Sequence, residues 1–402
     1  MRTATTFIFL SFVGLNLVAA DSAPNPAVGG AESQAITGPP PAKVVDTVIR
    51  FAATDGTPLE GKLTVPADAK GPFPVVYHLH GAGPRNYDNP VAQYKDADGQ
   101  LRLYRYYDFY SHELARRGLA FFRMNKRGCT IEPSGQPRID RSVFSKATPS
   151  VLLDDYANGL DALRGRKEID PKRIVLSGQS EGTRLGPQLA LRSPPGILGI
   201  ALAGYAADNT RDTVVWQNSV GPWRNIQKLI PAAADGTLTR AEYDAAVKQD
   251  ASIPSKLPFA SVDRDADGVV TAADMVRINR PRLDAILKAV DEGNDDFLWQ
   301  VVLNLSSAYL REGWDGESNY VTLLKLNIPL AIFHGELDGT TRVEGVRETE
   351  AAFRAAGKTN LAVHIYPGHD HYLNWTLQTS ANGGPKPYQD AFAFAADLVR
   401  KR

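Results

Sequence analysis

The chain has 402 residues and carries equal numbers of basic and acidic side chains, 45 Lys and Arg against 45 Asp and Glu. This balance argues against nucleic acid or an anionic membrane surface as a partner. The single cysteine, Cys129, excludes an intramolecular disulfide, so the fold must be stabilised by its core, and the chain is long enough for a large one.

The first twenty residues have the pattern of a secretory signal peptide. One early cation, Arg2, precedes a short apolar run over 7–18, and small residues lead up to a cleavage site after Ala20. Residues 21–42 are rich in Pro, Gly, Ala and Ser and are expected to form a flexible leader. No later segment is long and apolar enough to span a bilayer. We therefore expect an exported protein, either periplasmic or secreted.

Strand and helix patterns alternate from residue 44 onward. The predicted strands are 44–51, 59–65, 73–80, 118–124, 174–177, 197–202, 328–335 and 361–366. The predicted helices between them include 111–117 and 151–164. Strands that alternate with helices form βαβ units, so we expect a mostly parallel sheet flanked by helices.

The alternation stops between residues 205 and 322. This stretch holds four of the five tryptophans, helical patterns and no histidine. We expect it to be a mainly helical cap, inserted into a core formed by 43–204 and 323–402. Such lids exclude water and shape specificity. The four tryptophans, Trp216, Trp223, Trp299 and Trp314, are expected either to line a substrate pocket or to form the cap's own core.

Residues 178–182, Gly-Gln-Ser-Glu-Gly, form a GxSxG motif between a buried strand and a helical pattern. A serine at such a sharp turn needs small neighbours, because the strand and the helix approach each other without room for a Cβ atom. The turn holds the hydroxyl clear of the sheet, and the helix N-terminus behind it favours negative charge. Ser180 is therefore the predicted nucleophile.

An acid and a histidine follow Ser180 in the order expected of a Ser-Asp-His hydrolase. Each comes directly after one of the last two predicted strands, in the segments Glu336-Leu-Asp338 and His369-Asp-His371. We favour Asp338 as the acid because it lies deeper in its loop than Glu336. The two histidines are two residues apart and would share a face, so their spacing does not identify the general base.

A glycine-rich turn, His-Gly-Ala-Gly-Pro at 80–84, ends the strand at 73–80. Backbone N–H groups at the C-terminal end of a parallel strand can point into a site. We therefore expect Ala82 or Gly81 to bind an oxyanion together with the backbone N–H of Glu181, which follows the nucleophile.

These motifs resemble those of secreted bacterial esterases in the α/β-hydrolase superfamily, near its serine aminopeptidase-like branch. The turn at 80–84 looks like that family's HGxGP loop, and 178–182 looks like its G-x-S-E-G elbow. Residues 123–128, Arg-Met-Asn-Lys-Arg-Gly, look like its RxDKRG turn, and 367–371 resemble its closing PGxxH motif. This last likeness implies that His371 is the general base.

The resemblance covers 44–204 and 322–400 and leaves the cap outside it. It implies an α/β-hydrolase fold and the hydrolysis of an ester by Ser180, His371 and Asp338. Two positions depart from the family's pattern, because Asn125 replaces the usual Asp and Thr183 replaces a usual Gly.

A second signal lies inside the cap, where residues 263–274 match the twelve-residue calcium loop of an EF-hand. The predicted Ca²⁺ ligands are Asp263, Asp265, Asp267, the Val269 carbonyl, Thr271 and Asp274. Position 12 is Asp rather than the usual Glu, and its shorter arm reaches an ion less easily. Residues 235–242 look like the second half of another such loop without its first ligands. We expect an EF-hand-like pair over 225–285 with one structural Ca²⁺.

The sequence thus predicts a serine hydrolase that needs no cofactor for its chemistry. Its expected substrate is a small-molecule ester, and the alternative is a peptide or amide cleaved by the same constellation. An alternative from another class is a calcium-responsive binding protein on an inactive hydrolase scaffold.

Overall fold

The computed structural model describes residues 42–95, 101–132, 135–249 and 258–401. The predicted signal peptide and nearly all of the leader lie outside these ranges. Within them, none of the helices combines the length and the apolar composition that crossing a membrane requires.

The strands, in chain order, are β1 (Val44–Ala52), β2 (Pro58–Pro66), β3 (Phe73–Leu79), β4 (Pro90–Lys95), β5 (Leu101–Arg105), β6 (Ala120–Met124), β7 (Cys129–Ile131), β8 (Pro137–Ile139), β9 (Ile169–Gln179), β10 (Ile197–Ala203), β11 (Leu238–Thr239), β12 (Val269–Val270), β13 (Leu330–Gly335) and β14 (Leu361–Tyr366).

The helices are α1 (Tyr106–Arg116), α2 (Arg141–Phe144), α3 (Pro149–Arg164), α4 (Gly182–Arg192), α5 (Thr210–Gln217), α6 (Gly221–Leu229), α7 (Arg240–Gln249), α8 (Phe259–Val262), α9 (Ala272–Glu292), α10 (Asp295–Val301), α11 (Ser307–Glu312), α12 (Asn319–Leu323), α13 (Val343–Ala355), α14 (Leu377–Ala381) and α15 (Lys386–Arg400), with a 3₁₀ turn at Pro231–Asp235.

Eight of the strands form one sheet in the order β1-β2-β6-β3-β9-β10-β13-β14. Only β2 runs against the others, because its pairings with β1 and β6 are antiparallel and all the remaining pairings are parallel. This is the topology of the α/β-hydrolase fold, and the predicted fold class is confirmed. The carboxyl ends of the parallel strands meet at one edge, where this architecture places its ligands.

The central strands are buried on both faces, which is why they read as continuous apolar runs in the sequence. Successive residues serve opposite faces. Tyr77 packs in the core shared with α3, α4 and α13, whereas its neighbour Val76 packs in the core shared with α1 and α15. Helices thus cover both faces of the sheet.

Between β10 and β13 the chain leaves the sheet, and we call residues 204–329 the insertion. The insertion contains α5–α12, and the short strands β11 and β12 pair antiparallel within it. It has an apolar core of its own, in which Trp223, Tyr243, Phe259 and Met275 are buried. The mainly helical character predicted for this stretch agrees with these elements.

Candidate active site

Ser180 lies at the sharp turn between β9 and α4 with a backbone φ of +53°. This left-handed conformation is strained for a residue with a Cβ atom. The flanking glycines make the turn possible. A Cβ atom on Gly178 would lie 2.3 Å from the Gly182 carbonyl oxygen, and one on Gly182 would lie 2.1 Å from the Leu79 carbonyl oxygen. The elbow geometry expected from the GxSxG motif is present.

The loops after β13 and β14 bring Asp338 and His371 together. The ring Nδ1–H of His371 donates to Asp338 Oδ2 at 2.7 Å, and both side chains are buried. Opposite them, Gly204 has a φ of +56° and leaves space for the ring, because a Cβ atom there would lie 2.9 Å from His371 Cε1. The second ring nitrogen, Nε2, has no hydrogen-bond partner among the described residues.

Thr341 fixes the carboxylate of Asp338, a role that sequence reasoning missed. Its hydroxyl donates to Oδ2 at 2.8 Å, and its backbone N–H donates to Oδ1 at 2.8 Å beside that of Thr340 at 2.7 Å. Burial raises the pKa of Asp338, but the charge and hydrogen bond of His371 outweigh burial and lower this pKa to about 2. Asp338 is therefore ionised at neutral pH.

Burial and the charge of Asp338 act on the pKa of His371 in opposite directions. Burial lowers it, and the negative charge of Asp338 raises it, with the net result that it lies above the ordinary histidine value. An imidazole in this setting is a stronger base than a free one, and its proton acceptor is the nitrogen that Asp338 leaves free.

The competing candidates lie outside this arrangement. His369 is only partly buried, and its Nδ1 bonds to the Pro367 carbonyl at 2.9 Å. The carboxylate of Glu336 makes no hydrogen bond to a described residue and is partly exposed. Of the two acids and two histidines, the structure thus joins only Asp338 and His371.

Ser180 and His371 line one cavity of about 270 Å³, together with the three predicted oxyanion residues Gly81, Ala82 and Glu181. The loop and the elbow touch, since a Cβ atom on Gly81 would lie 3.3 Å from the Cβ of Ser180. No described residue accepts a hydrogen bond from the backbone N–H of Ala82 or of Glu181. Both donors are free beside the serine, as an oxyanion site requires.

Lys126 connects the glycine-rich turn at 80–84, which holds the predicted donors Gly81 and Ala82 (the oxyanion loop), to the turn at Ser180. Its buried ammonium donates to the Gly81 carbonyl at 2.7 Å, to the Gly83 carbonyl at 3.1 Å and to Glu181 Oε2 at 2.5 Å. The other carboxylate oxygen of Glu181 accepts a hydrogen bond from the Tyr309 hydroxyl. The sequence placed Lys126 in a family-like turn, but these contacts join residues far apart in the chain.

We expect Lys126→Met to lower kcat for ester hydrolysis by about 10², the loss typical of one displaced oxyanion donor. Without the ammonium, the Gly81 and Gly83 carbonyls lose their shared donor, and the loop is free to move away from Ser180. Because the loop acts on the transition state, kcat should fall more than KM rises. Steady-state kinetics on a 4-nitrophenyl ester measures both.

Lys62→Met is the matched control for Lys126→Met. Lys62 is also a buried lysine paired with a buried carboxylate, that of Asp88, but it does not line the cavity. Both variants should lose stability, since removing one partner strands a buried charge. Equal losses of kcat in the two folded variants would show that Lys126 acts only through stability.

The insertion supplies the apolar wall of the cavity. Its lining side chains are Val214, Leu229, Val302, Leu303, Leu305 and Leu310. None of the four insertion tryptophans is among the lining residues, so the pocket alternative is wrong for them. Trp223 lies in the core of the insertion, and Trp299 and Trp314 pack against the main core. The insertion also reaches the histidine loop, where Lys228 forms an ion pair with Asp370.

The predicted calcium loop brings three of its carboxylates together. Oxygens of Asp263, Asp265 and Asp267 lie within 4.8 Å of one another. Asp263 is nine-tenths buried, and its Oδ1 has no hydrogen-bond partner. Gly268 turns the loop at a φ of +93°, and its N–H donates to Asp263 Oδ2 at 3.1 Å. A buried, unpartnered carboxylate oxygen beside two further carboxylates fits a hard cation.

The remaining predicted ligands have other contacts. Asp274 Oδ1 accepts from the Arg264 N–H at 2.8 Å, and its Oδ2 accepts from the N–H and hydroxyl of Thr271, which together begin α9 with a capping box. Arg277 forms an ion pair with Asp265. The roles of Asp274, Thr271 and the Val269 carbonyl as calcium ligands stay predictions.

The upstream half-loop is paired with this loop through β11 and β12, in the register Leu238 to Val270 and Thr239 to Val269. In the upstream half-loop, Asp235 Oδ1 accepts from Thr237, and Glu242 closes a turn onto Thr239. The two segments therefore meet through a short antiparallel bridge. That they form an EF-hand-like pair over 225–285 stays a prediction.

No protein-family model matches the chain. A stretch of 174 residues is 25% identical to Esterase EstD of Thermotoga maritima, covering 43% of this chain and 37% of the esterase. The match thus spans well under half the length of either protein.

Several solved structures are similar over most of the chain. A lipase in an open form is 18% identical, with 89% of this chain and 99% of that one covered and a TM-score of 0.46. The α/β hydrolase GrgF of Penicillium sp. sh18 is 16% identical, with 89% and 98% covered and a TM-score of 0.47. Est1E of Butyrivibrio proteoclasticus is 11% identical, with 88% and 99% covered and a TM-score of 0.45.

Proposed function

We propose that the protein is a serine hydrolase that cleaves carboxylic esters through an acyl-enzyme. The observation that carries the proposal is the 2.7 Å hydrogen bond between His371 and Asp338, set in a cavity that both His371 and the strained Ser180 line. The likeness to an esterase of Thermotoga maritima supports it.

In the acylation half, Ser180 Oγ attacks the ester carbonyl carbon and His371 Nε2 takes the hydroxyl proton. The backbone N–H groups of Ala82 (or Gly81) and Glu181 stabilise the negative oxygen that forms. Asp338 holds the ring with Nδ1 protonated and stabilises the imidazolium without taking its proton. His371 then gives the proton to the leaving alkoxide, and the alcohol departs.

Deacylation repeats these steps with water in place of the serine. His371 takes a proton from the water as it attacks the acyl carbon, and the same N–H groups bind the second tetrahedral oxygen. When that intermediate collapses, His371 returns the proton to Ser180 Oγ and the carboxylic acid leaves. Because His371 deprotonates both the serine and the water, no metal ion is needed to generate either nucleophile.

A fluorophosphonate probe and a substrate panel test this proposal. The wild-type protein should be labelled at Ser180 and should hydrolyse 4-nitrophenyl esters faster than aminoacyl anilides. Faster cleavage of the anilides would make the protein a peptidase or amidase with the same residues. Absence of both labelling and turnover would favour the calcium-responsive binding protein.

We also propose one structural Ca²⁺ in the insertion, held by Asp263, Asp265 and Asp267, with Asp274, Thr271 and the Val269 carbonyl as the further ligands. The ion would offset the mutual repulsion of the clustered carboxylates. Export, as expected from residues 1–20, would expose the site to far more calcium than the cytosol holds. A dissociation constant on the order of 10⁻⁴ M would then suffice.

Chelation of calcium is expected to lower the melting temperature while activity persists at low temperature. Binding to the folded state alone stabilises it by RT ln(1 + [L]/Kd), about 1.4 kcal/mol at a tenfold excess over Kd. Calorimetry with and without EGTA measures the difference. Asp265→Ala should abolish the calcium dependence of the melting temperature.

Asp235→Ala, in the upstream half-loop, is the matched control and should keep that dependence, because its loop lacks the first ligands. The structural role would be excluded by immediate, complete loss of turnover on chelation with an unchanged melting temperature. That result would place a metal in the chemistry.

A further inference from the structure

The cavity beside Ser180 is lined by three cationic side chains and three carboxylates, besides His371. Its ionisable lining side chains are Arg85, Glu181, Arg184, Asp208, Lys228, Asp370 and His371. Each of the three lining carboxylates already has a cationic partner. Glu181 pairs with Lys126, Asp208 with Arg342 and Asp370 with Lys228. This pairing leaves two arginines in the cavity wall without a carboxylate.

Arg85 directly follows the oxyanion loop, and its guanidinium makes no hydrogen bond or ion pair with a described residue. The side chain is partly buried. Its backbone is held in place, since the Arg85 carbonyl accepts the Lys126 N–H at 2.9 Å. A guanidinium carries five N–H donors and stays protonated under all ordinary conditions. An arginine with this capacity unused, in the wall of a reaction cavity, is suited to bind an anion.

Arg184 lies one helical turn after Ser180 on α4. Its guanidinium donates only to neutral acceptors, the backbone carbonyl of Asp208 and, at 3.4 Å, that of Glu317. Burial lowers the pKa of Arg184. The Asp208 carboxylate acts on Arg184 through space but forms its ion pair with Arg342. A partly desolvated cation that has no ion pair of its own contributes positive potential to the cavity, and an incoming anion lowers the free energy of that arrangement.

We propose that the ester substrate carries a carboxylate, which the guanidinium of Arg85 binds while Arg184 adds positive potential. Arginine pairs with carboxylates through two parallel hydrogen bonds, which gives both affinity and orientation. The apolar wall formed by Val214, Val302, Leu303, Leu305 and Leu310 remains for a hydrocarbon chain. This substrate class rests on the proposed serine-hydrolase function and deepens it.

Two pairs of esters test the inference and locate the carboxylate. On the acyl side, the 4-nitrophenyl monoester of adipic acid is compared with 4-nitrophenyl hexanoate, after subtraction of spontaneous hydrolysis. On the alcohol side, 4-carboxyphenyl hexanoate is compared with phenyl hexanoate. The wild-type kcat/KM should favour the carboxylate-bearing member of one pair by about tenfold or more, the size expected of a charged hydrogen-bonded contact. The pair that shows the preference identifies the side.

Arg85→Gln should reduce that preference by about tenfold or more, and Arg85→Lys should retain part of it through its charge. Arg280→Gln removes an exposed cation of the insertion that pairs with Asp284, and it should leave both rates unchanged. Raising the salt concentration should weaken the wild-type preference, since ions screen the contact.

Equal wild-type rates within both pairs would overturn the inference, as would equal losses on both members of a pair in Arg85→Gln. Either result leaves the serine-hydrolase function standing, because turnover of the neutral hexanoates and labelling of Ser180 report on it separately. Failure of both would overturn that function and this inference with it.

Discussion

Replacing Ser180 or His371 with alanine is expected to lower kcat for ester hydrolysis by about four orders of magnitude or more. The serine hydroxyl is a weak nucleophile until a base removes its proton, and the base depends on the carboxylate behind it. These groups act as a unit, so the loss of one is nearly the loss of all. The free N–H groups of Ala82 and Glu181 should leave a small residual rate. Turnover of 4-nitrophenyl butyrate by the purified variants measures the effect.

His369→Ala is the matched control for His371→Ala. It removes a second imidazole from the same loop, but one that bonds to the Pro367 carbonyl and not to Asp338. This variant should keep most of the activity. An inactive His369→Ala together with an active His371→Ala would move the general base to the other histidine.

Asp338→Asn is expected to lower kcat by about 10⁴ with little change in fold. The amide has nearly the shape of the carboxylate but carries no charge and offers its NH₂ group toward the ring. It therefore favours the wrong tautomer of His371 and no longer stabilises the imidazolium. Glu336→Gln makes the same chemical change at the other acid of this loop and should be nearly silent. The reverse pattern would assign the acid to Glu336.

The pH dependence of kcat/KM gives a second readout of the pair. The rate needs neutral His371, so it should fall as the pH drops through the pKa of this residue, which the charge of Asp338 holds above the ordinary value against the effect of burial. In Asp338→Asn the charge is gone and burial remains, so the acid limb of the residual activity should move to lower pH. An acid limb that moves to higher pH would contradict the assigned pair.

The strands of the sheet were predictable because each shows either an apolar run or an alternating pattern bounded by turn residues. The predicted strand at 361–366 coincides with β14. The predicted helix at 111–117 begins earlier, at Tyr106, because the tyrosines of α1 pack against α15 at the far end of the chain. The antiparallel pairs β4–β5 and β7–β8 were missed. A local sequence pattern does not reveal packing between distant segments, such as α1 on α15, or pairing between very short strands.

Part of the candidate site was likewise predictable from the sequence, and part was not. Ser180 and Asp338 were recognisable because each follows a buried strand in a motif with a physical reason for its residues, whereas His371 was distinguished from His369 only by the family resemblance. The departures from the family pattern were not interpretable from sequence, yet each has a structural role. Asn125 accepts a hydrogen bond from the Tyr87 N–H and donates one to Glu60, so both the carbonyl and the NH₂ group of its amide are used. Thr183 donates to the Ser180 carbonyl and accepts from the Ala206 N–H, which fixes the elbow to the next loop.

The contacts of the insertion bear on how such a protein can be shortened or recombined. Tyr309 satisfies one oxygen of Glu181, directly after the nucleophile, and Lys228 neutralises Asp370, directly before the base. Excising the insertion would leave a buried oxygen of Glu181 without its hydrogen-bond donor. It would also remove the ion pair that holds the loop carrying Asp370 and His371. A minimal enzyme made by joining β10 to β13 is therefore the wrong design. A chimera that exchanges the insertion for another must bring a hydroxyl and a cation to these two positions.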